Sequence, residues 1–389
     1  MRSTEAFTEK NYNSQKELIV YGANVYGEIA YYALEYLGIK PDYFVDKGIA
    51  GQDKFEIPVL PPQELSNHTD AQVIIASYNF FYEMKEECIK QGIETYYDME
   101  YLLQVPFSMD KLRGIAKGRK TDIAGYRNML SHEQTKDKVS INHIDFVVCE
   151  SCTLKCKDCS NLMPYYSKPQ MINLDDTWKS FDRFLETVDY IGVLYVLGGE
   201  PFLNKEVYKV IERYANCNKI GGITIFTNGT IIPDETNTKA LKNDKVLVQI
   251  SDYGVKHQKS AEVGEYLEKN GIKCVVKKYD EWVDLGDVTK KTDDKKVADE
   301  IIDTCFWKKN YTFLKGKVYH CPRSAHGHNL NIIPVLEEEY VDYTDETNTI
   351  AQLQTKLAAI VNRKEAFIAC QYCKGGDWHS PRIQAAIQK

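Results

Sequence analysis

The first hundred residues alternate short apolar runs with patterns of helical period. Residues 17–21 are mostly apolar and predict a strand, and a helical pattern follows in which Ile29, Ala33 and Leu37 recur at four-residue spacing. Gly38 ends this helix. Strands are further predicted at 43–45 and 72–76, and a helix at 82–91. Strands that alternate with helices predict an α/β domain with a parallel, doubly wound sheet, which we assign to residues 1–105.

The loop after the first strand, residues 22–27, reads GANVYG and is an incomplete dinucleotide-binding fingerprint of Rossmann type. Asn24 stands where the fingerprint has its middle glycine, which lets the backbone approach a pyrophosphate. Two interpretations stay open, namely a nucleotide site and a turn that caps the helix.

Residues 106–142 are predicted to form a linker with a short helix, because glycines at 114, 118 and 125 interrupt any long helical period. Its basic residues favour a solvated surface, with a docking site for a substrate phosphate as the alternative; they are Lys111, Arg113, Lys117, Arg119 and Lys120.

Strand and helix patterns alternate again from residue 144 onward. The apolar runs predict strands at 144–148, 191–197, 223–226, 246–251 and 272–277. Helical patterns fill the gaps, notably 175–188 and 205–215. A second parallel α/β unit is therefore predicted.

Four of the eleven cysteines follow the strand at 144–148 within eleven residues. Thiols packed this closely, in a chain that begins without an apolar signal segment, indicate a metal site rather than disulfides. Together with Cys149, the other three could close a tetrahedral zinc site. Alternatively Cys152, Cys156 and Cys159 hold three irons of a [4Fe–4S] cluster and leave the fourth iron open.

Composition and charge limit the number of domains, the partners and the location that the chain can have. A chain of 389 residues is long enough for two or three domains. Its formal net charge of -7 argues against a nucleic-acid partner, and no uncharged run approaches the ~18 apolar residues that span a bilayer. Eleven cysteines without an export signal predict a reducing cytoplasm.

The spacing C-x3-C-x2-C after a first strand resembles the radical S-adenosylmethionine (SAM) superfamily. Two further motifs strengthen the resemblance, GGEP at 198–201 and TNGT at 227–230, each at the end of a predicted strand. The resemblance implies a partial (β/α)6 barrel over residues 143–290. It also implies an enzyme in which SAM binds the open iron and is cleaved to a 5′-deoxyadenosyl radical that abstracts hydrogen from the substrate.

The same resemblance implies which residues contact SAM. Gly198, Gly199 and Glu200 are expected to face the methionine ammonium, for which a carboxylate is a suitable partner. Further candidates for cofactor contacts close the next two strands; they are Asn228, Ser251 and Asp252. For Asp252, a turn or helix-cap role is the alternative. Asp158 departs from the family, which usually has an aromatic residue before the third cysteine.

A third cysteine group lies in residues 291–389 and comprises Cys305, Cys321, Cys370 and Cys373. Between the first two, residues 311–314 and 317–319 flank a Lys-Gly pair and predict a hairpin. The arrangement resembles the shorter (twitch) form of the SPASM-type auxiliary domain, in which four cysteines hold a second [4Fe–4S] cluster. A structural zinc site with the same ligands is the alternative.

Several residues are candidates for the chemistry itself. A thiol in the barrel mouth could return a hydrogen atom to a substrate radical, and Cys149 and Cys274 are the candidates. Arg323 could clamp a phosphate or carboxylate of the substrate, with a surface arginine as the alternative. His326 and His328 are interpreted as solvated loop residues rather than bases.

The N-terminal domain resembles nucleotide-fold domains of bacterial sugar-modifying enzymes, which favours a sugar or nucleotide-linked sugar as substrate. Oxidation and epimerisation are both open outcomes, with flavodoxin or ferredoxin as the expected reductant. The alternatives are a radical SAM peptide maturase and, in another class, a zinc-stapled binding or scaffold protein.

Overall fold

The computed structural model describes residues 4–78, 80–112, 115–131, 139–377 and 380–389. The chain divides into two compact units, Met1–Glu133 and Gln134–Lys389. No helix in the described ranges is long and apolar enough to cross a lipid bilayer.

The N-terminal unit is built on a seven-stranded sheet whose strand order is β1-β7-β6-β2-β3-β5-β4. Its strands are β1 (Glu5–Ala6), β2 (Leu18–Tyr21), β3 (Tyr43–Val45), β4 (Asp53–Lys54), β5 (Ile57–Leu60), β6 (Gln72–Ile75) and β7 (Thr95–Asp98). All neighbours pair in parallel except β4 with β5. The chain steps outward from β2 in both directions, so the predicted doubly wound α/β sheet is confirmed.

The helices of this unit are α1 (Val25–Tyr36), α2 (Phe81–Lys90), α3 (Ile115–Thr121) and α4 (Ile123–Ser131). The loop before α1 forms a helix cap, because the Asn24 side chain accepts a hydrogen bond from the Tyr26 N–H (3.3 Å). Asp46 at the end of β3 accepts from the Ala23 N–H (2.9 Å) and the Gly48 N–H (2.8 Å), so both of its oxygens bind the backbone. These contacts favour the capping interpretation of residues 22–27.

The segment predicted as a linker differs from the prediction. Instead of one short helix it contains α3 and α4, and the Tyr126 ring is fully buried 5.8 Å from the ring of Tyr26. Gly118 has open space around it and Gly125 lies in the first turn of α4, so neither glycine stops the apolar positions from packing. Lys120 is buried and donates to the Leu103 carbonyl (2.5 Å), so the basic residues do not all lie on a solvated face. Arg113 and Gly114 lie outside the described residues.

The second unit contains the remaining strands and helices. Its strands are β8 (Ser140–Cys149), β9 (Tyr190–Gly198), β10 (Ile220–Thr227), β11 (Val246–Asp252), β12 (Cys274–Lys278), β13 (Glu281–Val283), β14 (Tyr311–Leu314), β15 (Lys317–Tyr319), β16 (Tyr340–Asp342) and β17 (Arg382–Gln384). Its helices are α5 (Trp178–Thr187), α6 (Val207–Tyr214), α7 (Glu235–Ala240), α8 (Ser260–Lys269), α9 (Lys295–Thr304), α10 (Pro322–Asn329) and α11 (Ile350–Asn362).

An eight-stranded sheet organises this unit, in the order β12-β11-β10-β9-β8-β14-β15-β16. The six strands from β12 to β14 are parallel neighbours, and β15 and β16 continue the sheet antiparallel. All five strands predicted from residue 144 onward are present. The predicted hairpin has the expected bounds, but β14 pairs with β8, so the sheet crosses the domain boundary predicted at residue 290.

The core of this unit lies between the sheet and its helices. Alternate residues of β8 point to this side, and the Phe146 ring contacts the rings of Phe181 (4.8 Å) and Phe313 (5.4 Å). Because side chains alternate along a strand, His143 and Asp145 of β8 face the opposite side of the sheet.

A substitution of Phe313 tests how much β14 contributes to the stability of this core. Phe313→Ala is expected to lower the free energy of unfolding of the C-terminal unit by about 3–5 kcal/mol, since it removes a buried ring and leaves a cavity. The control is Leu336→Ala, whose side chain is 44% exposed. Urea unfolding measures both, and equal stability of the two variants would contradict the packing of β14.

Candidate functional site at the carboxyl edge of the sheet

The predicted motifs meet at one edge of the second sheet. Strands β8, β9, β10 and β11 are parallel and end at Cys149, Gly198, Thr227 and Asp252. Their carboxyl ends therefore lie side by side, as they do where parallel α/β enzymes place their active sites.

The three cysteines of the C-x3-C-x2-C motif share one small cluster. Cys152, Cys156 and Cys159 pack with Leu154 and Ala386. Burial raises the pKa of all three thiols, that of Cys152 to about 12. Thiols in such surroundings stay protonated unless a metal replaces the proton, so the trio fits a buried iron–sulfur cluster.

Cys149 is held apart from this trio. Its side chain is fully buried at the end of β8, and its S–H donates to the Glu200 carbonyl (3.1 Å) and the Ser151 carbonyl (3.4 Å). Burial raises the pKa of Cys149 to about 12. These contacts favour three cysteine ligands over a zinc site with Cys149 as the fourth. No group of three or more His, Cys, Asp and Glu side chains in the described part of the chain is arranged to hold a single metal ion.

Gly198, the last residue of β9, and Gly199 leave room for the cysteine loop to pass. A Cβ on Gly199 would lie 2.0 Å from the Ser151 oxygen and 2.8 Å from the Cys152 Cβ, and one on Gly198 would lie 2.3 Å from the Cys149 oxygen. The Gly199 N–H donates to the Cys149 carbonyl (3.2 Å), and the Glu200 N–H to the Ser151 carbonyl (2.8 Å). The backbone at the end of β9 therefore crosses directly against Cys152, the first cysteine of the motif.

Glu200 lies at the site, and the hydrogen bonds of its carboxylate come from protein groups. The side chain is fully buried and accepts hydrogen bonds from the Thr227 hydroxyl (2.8 Å), the Asn228 N–H (2.8 Å) and the Phe202 N–H (3.2 Å). Burial raises its pKa to about 7. In this structure Glu200 joins the ends of β9 and β10, so its contact with a methionine ammonium stays a prediction.

Asn228 lies beside the cysteine loop, and its predicted contact with SAM stays a prediction. Its Nδ2 donates to the Thr153 hydroxyl (3.0 Å) and approaches the Cys152 sulfur (3.5 Å). The sequence gave no signal for Gln258, which connects two strand ends. Its Nε2 donates to the Asn228 and Ser251 carbonyls, and its Oε1 accepts from the Tyr253 N–H.

Ser251 and Asp252 occupy the end of β11. Ser251 is buried, whereas Asp252 accepts from the Gly254 N–H (3.1 Å) and the Ser260 hydroxyl (3.3 Å). These bonds are those of the turn interpretation of Asp252. The aromatic surface missing at Asp158 is present elsewhere, since Tyr253 and Trp282 pack against the cysteine cluster.

The four cysteines of the third group, in residues 291–389, meet around one cavity. Cys305, Cys321, Cys370 and Cys373 all line it, together with Ser160, which follows the third cysteine of the first motif. Burial raises the pKa of Cys370 to about 12 and also raises the pKa of Cys321 well above its usual value. Four thiols around one cavity, one buried and three partly buried, fit a second metal cluster.

The prediction for Arg323 needs correction. The side chain is buried, and its Nε and Nη2 donate to the main-chain oxygens of Tyr372, Gly286 and Asp287. Arg323 therefore fastens two loops beside the four cysteines, and it is neither a surface arginine nor open to a substrate anion.

The interpretation of the histidines as solvated loop residues is wrong. His326 is fully buried in α10, where its Nδ1 shares a hydrogen bond with the Tyr166 hydroxyl (2.8 Å). Burial lowers its pKa to about 3, so the ring is neutral. His328 is partly buried and pairs with the Tyr319 hydroxyl (3.0 Å).

Cys274 does not lie at the motif-bearing edge. It begins β12 and packs against α8, with its sulfur 3.8 Å from the Gly264 oxygen. Because side chains alternate along a strand, this position faces the helices. Of the two predicted hydrogen donors, one thus binds backbone carbonyls and the other contacts a helix.

No protein-family model matches the chain. Over 95 residues, 24% of the chain, it is 33% identical to a GTP 3',8-cyclase of Clostridium acetobutylicum, and the match spans 29% of that relative's length. Among solved structures, BtrN in complex with AdoMet and 2-DOIA aligns over 61% of this chain and 94% of its own, with 15% identity and a TM-score of 0.43. Streptococcus suis SuiB bound to S-adenosylmethionine aligns over 51% of this chain and 44% of its own, with 13% identity and a TM-score of 0.29.

Over 95 residues the chain is similar to a GTP 3',8-cyclase, and its motifs at the sheet edge resemble those of the radical SAM superfamily. The structures of BtrN and SuiB were each solved with S-adenosylmethionine bound.

Gly199→Ala tests the crossing of the two loops. Its Cβ would collide with the Ser151 backbone, so the cysteine loop must shift and the first cluster should be lost. Reconstituted protein should fall from about eight irons per chain to about four. Gly118→Ala, which meets nothing within 4 Å, is the control. Full iron content in Gly199→Ala would contradict the assignment.

Proposed function

We propose that this chain is a radical SAM enzyme that oxidises a small polyhydroxylated substrate. Cys152, Cys156 and Cys159 hold a [4Fe–4S] cluster whose fourth iron takes SAM. When bound, this pair supplies a carbon radical that removes hydrogen from the substrate. The observation that carries the proposal is the cluster of three thiols at the carboxyl edge, crossed by the glycine backbone at the end of β9.

The residues around the trio have separate tasks in this proposal. Gly198 and Gly199 bring main-chain groups close to the cluster because no Cβ stands in the way. Glu200 fixes the ends of β9 and β10 to each other. Asn228 and Ser251, both buried at strand ends, are proposed to contact SAM.

Cys305, Cys321, Cys370 and Cys373 are proposed to hold an auxiliary [4Fe–4S] cluster. With four cysteine ligands it has no open iron, which suits electron transfer. Ser160, next to Cys159 in the chain, lines the same cavity, so the two cysteine groups approach each other there.

The polar side of the sheet suggests where a substrate binds. Thr312, Asp145, Tyr195 and Thr224 are successive cross-strand neighbours on β14, β8, β9 and β10. They lie on the side opposite the helices, below the strand ends that carry the cysteine loop. A row of polar side chains on this side of the sheet suits a hydroxylated substrate, whose hydroxyls can exchange hydrogen bonds with them.

Asp145 is the centre of this row. Its Oδ2 accepts from the Asn310 side chain (2.8 Å) and lies 3.5 Å from the Thr312 hydroxyl, whereas no described residue donates to Oδ1. Burial raises the pKa of Asp145 to about 8, although both neighbours lower it. The carboxyl is therefore protonated at neutral pH and carries a hydrogen-bond donor.

His143 complements this donor with an acceptor. Burial lowers the pKa of His143, so the ring is neutral, and its Nε2 contacts Asn310 Oδ1. Since Asn310 directs its amide N–H to Asp145, its oxygen must accept from the histidine. His143 Nδ1 is then a buried acceptor that has no partner among the described residues. A donor on Asp145 and an acceptor on His143, two residues apart on the same face of β8, suit the hydroxyls of a sugar.

Oxidation is proposed over epimerisation because the thiols are engaged elsewhere. Cys149 donates to two backbone carbonyls, and Cys274 packs against α8. Oxidation of the substrate radical releases one electron, which a cluster held by the four cysteines would take up, and one hydroxyl proton, which would leave to solvent. A nucleotide-linked substrate, a flavodoxin or ferredoxin reductant and a cytoplasmic location belong to the same proposal.

Replacement of Cys152, Cys156 and Cys159 together by serine tests the function. Wild-type protein, reconstituted without oxygen, should release 5′-deoxyadenosine from SAM under reduction. The triple variant should release none while it keeps about four irons at the auxiliary site. Cys217→Ser, a cysteine outside both groups, is the control. Persistent release from the triple variant would refute the ligand assignment.

Asp145→Asn tests the protonated carboxyl. The native pKa lies above the unfolded value, so the proton stabilises the fold below the unfolded pKa, and this stabilisation declines as the pH rises towards about 8. Between pH 6 and 8 the wild type should lose up to ~1.4 kcal/mol per pH unit relative to the variant, and nothing further at higher pH. Anaerobic urea unfolding at pH 6 to 9 measures this.

The matched control for that series is Asp345→Asn. The Thr347 side chain and N–H lower the pKa of Asp345, so its carboxylate stays charged throughout this pH range. Its stability should parallel that of the wild type. Parallel curves for the wild type and Asp145→Asn would instead show that Asp145 is ionised in the folded protein.

A further inference from the structure

A distant segment of the chain lies along the cysteine loop. Residues 385–389 run antiparallel to residues 155–157, with Cys156 opposite Gln388. The Lys157 N–H donates to the Ile387 carbonyl (2.8 Å), and the Lys389 N–H donates to the Lys155 carbonyl (2.9 Å). The chain on both sides of Cys156, the second cysteine of the motif, is therefore paired like one strand of a sheet.

Two features bring this segment to the loop. Strand β17 pairs with β13 just before it, which anchors its start. Ala386 then adopts a left-handed conformation (φ 52°) and is buried against Leu154 and Cys156. A non-glycine residue with positive φ is strained and persists only where its surroundings hold it.

The side chain of Gln388 completes the contact with a hydrogen bond to sulfur. Its Oε1 accepts from the Lys155 N–H (2.8 Å), and its Nε2 donates to the Cys156 sulfur (3.2 Å) and the Ala386 carbonyl (2.7 Å). A backbone N–H on one side and a carbonyl on the other allow only this orientation of the amide. The donor is therefore fixed towards a cluster ligand.

We propose that Gln388 is a positioning residue that raises the reduction potential of the cluster held by Cys152, Cys156 and Cys159. This inference rests on the proposed function, because it requires that cluster. The sequence offers no sign of it, since Gln388 is more than 200 residues from the ligand that it contacts.

The expected rise in reduction potential has an electrostatic cause. One electron from a low-potential donor makes the cluster and its thiolates more negative. A hydrogen bond to a ligand sulfur stabilises the more negative state and so raises the potential. The effect is strong at Cys156, since this ligand is only 8% exposed and water does little to screen it.

The test is a redox titration of anaerobically reconstituted full-length protein with dithionite, followed by electron paramagnetic resonance. SAM perturbs the signal of a cluster with an open iron, which identifies the signal to follow. In Gln388→Leu the ratio of reduced to oxidised cluster at a fixed potential should fall about tenfold, or ~59 mV for one electron. Gln384→Leu, an exposed glutamine on β17, should match the wild type.

Gln388→Glu separates the donor from the strand pairing. It keeps an oxygen for the Lys155 N–H but places a carboxylate oxygen at the sulfur, so the ratio should fall further than in Gln388→Leu. If Gln388→Leu binds too little iron to titrate, Gln388→Glu decides alone. Unchanged potentials in the titrated variants would overturn the proposal, as would loss of the cluster from both, which would make Gln388 purely structural.

The same titration distinguishes this inference from the proposed function. If the wild type shows no cluster signal that responds to SAM, the proposed function fails. If that signal is present but its potential does not depend on Gln388, the function stands and only the role of Gln388 is rejected.

Discussion

The site depends on a close backbone crossing at the carboxyl edge of the second sheet. The chain leaving β9 donates from Gly199 and Glu200 to the carbonyls of Cys149 and Ser151, with no room for a side chain at Gly199. This contact fixes where the cysteine loop begins and so holds the three thiols of the motif in place. In the proposed function such rigidity matters, because a radical formed at a cluster must meet its substrate in one geometry.

Around this crossing, other contacts stabilise the loop from several sides. Glu200 and Gln258 connect neighbouring strand ends through buried hydrogen bonds. Glu150, also buried, receives Lys315 from the turn of the β14–β15 hairpin, which ties the hairpin to the loop. The segment at 385–389 covers the far side. The candidate site is therefore assembled from distant parts of one sheet-based unit.

Much of this architecture follows from local patterns in the sequence. Apolar runs located the parallel strands, and a Lys-Gly pair located the hairpin, because these signals lie within a few residues. The burial and contacts of individual polar side chains could not be predicted from these local patterns. Arg323 and His326 are of residue types that usually lie at the surface, and their burial is determined by tertiary packing alone. Gln258 and Gln388 act through contacts that no spacing rule describes, and the helices at 115–131 form because buried apolar positions outweigh the glycines.

The central claim is that three cysteines leave one iron of a cluster open for SAM. Mössbauer spectroscopy of protein reconstituted with 57Fe tests it directly, because each iron reports its own ligands. The account predicts that SAM changes the spectrum of about one iron in eight and leaves the others as they were. A spectrum that SAM does not alter, or a protein that takes up zinc and no iron–sulfur cluster, would contradict it.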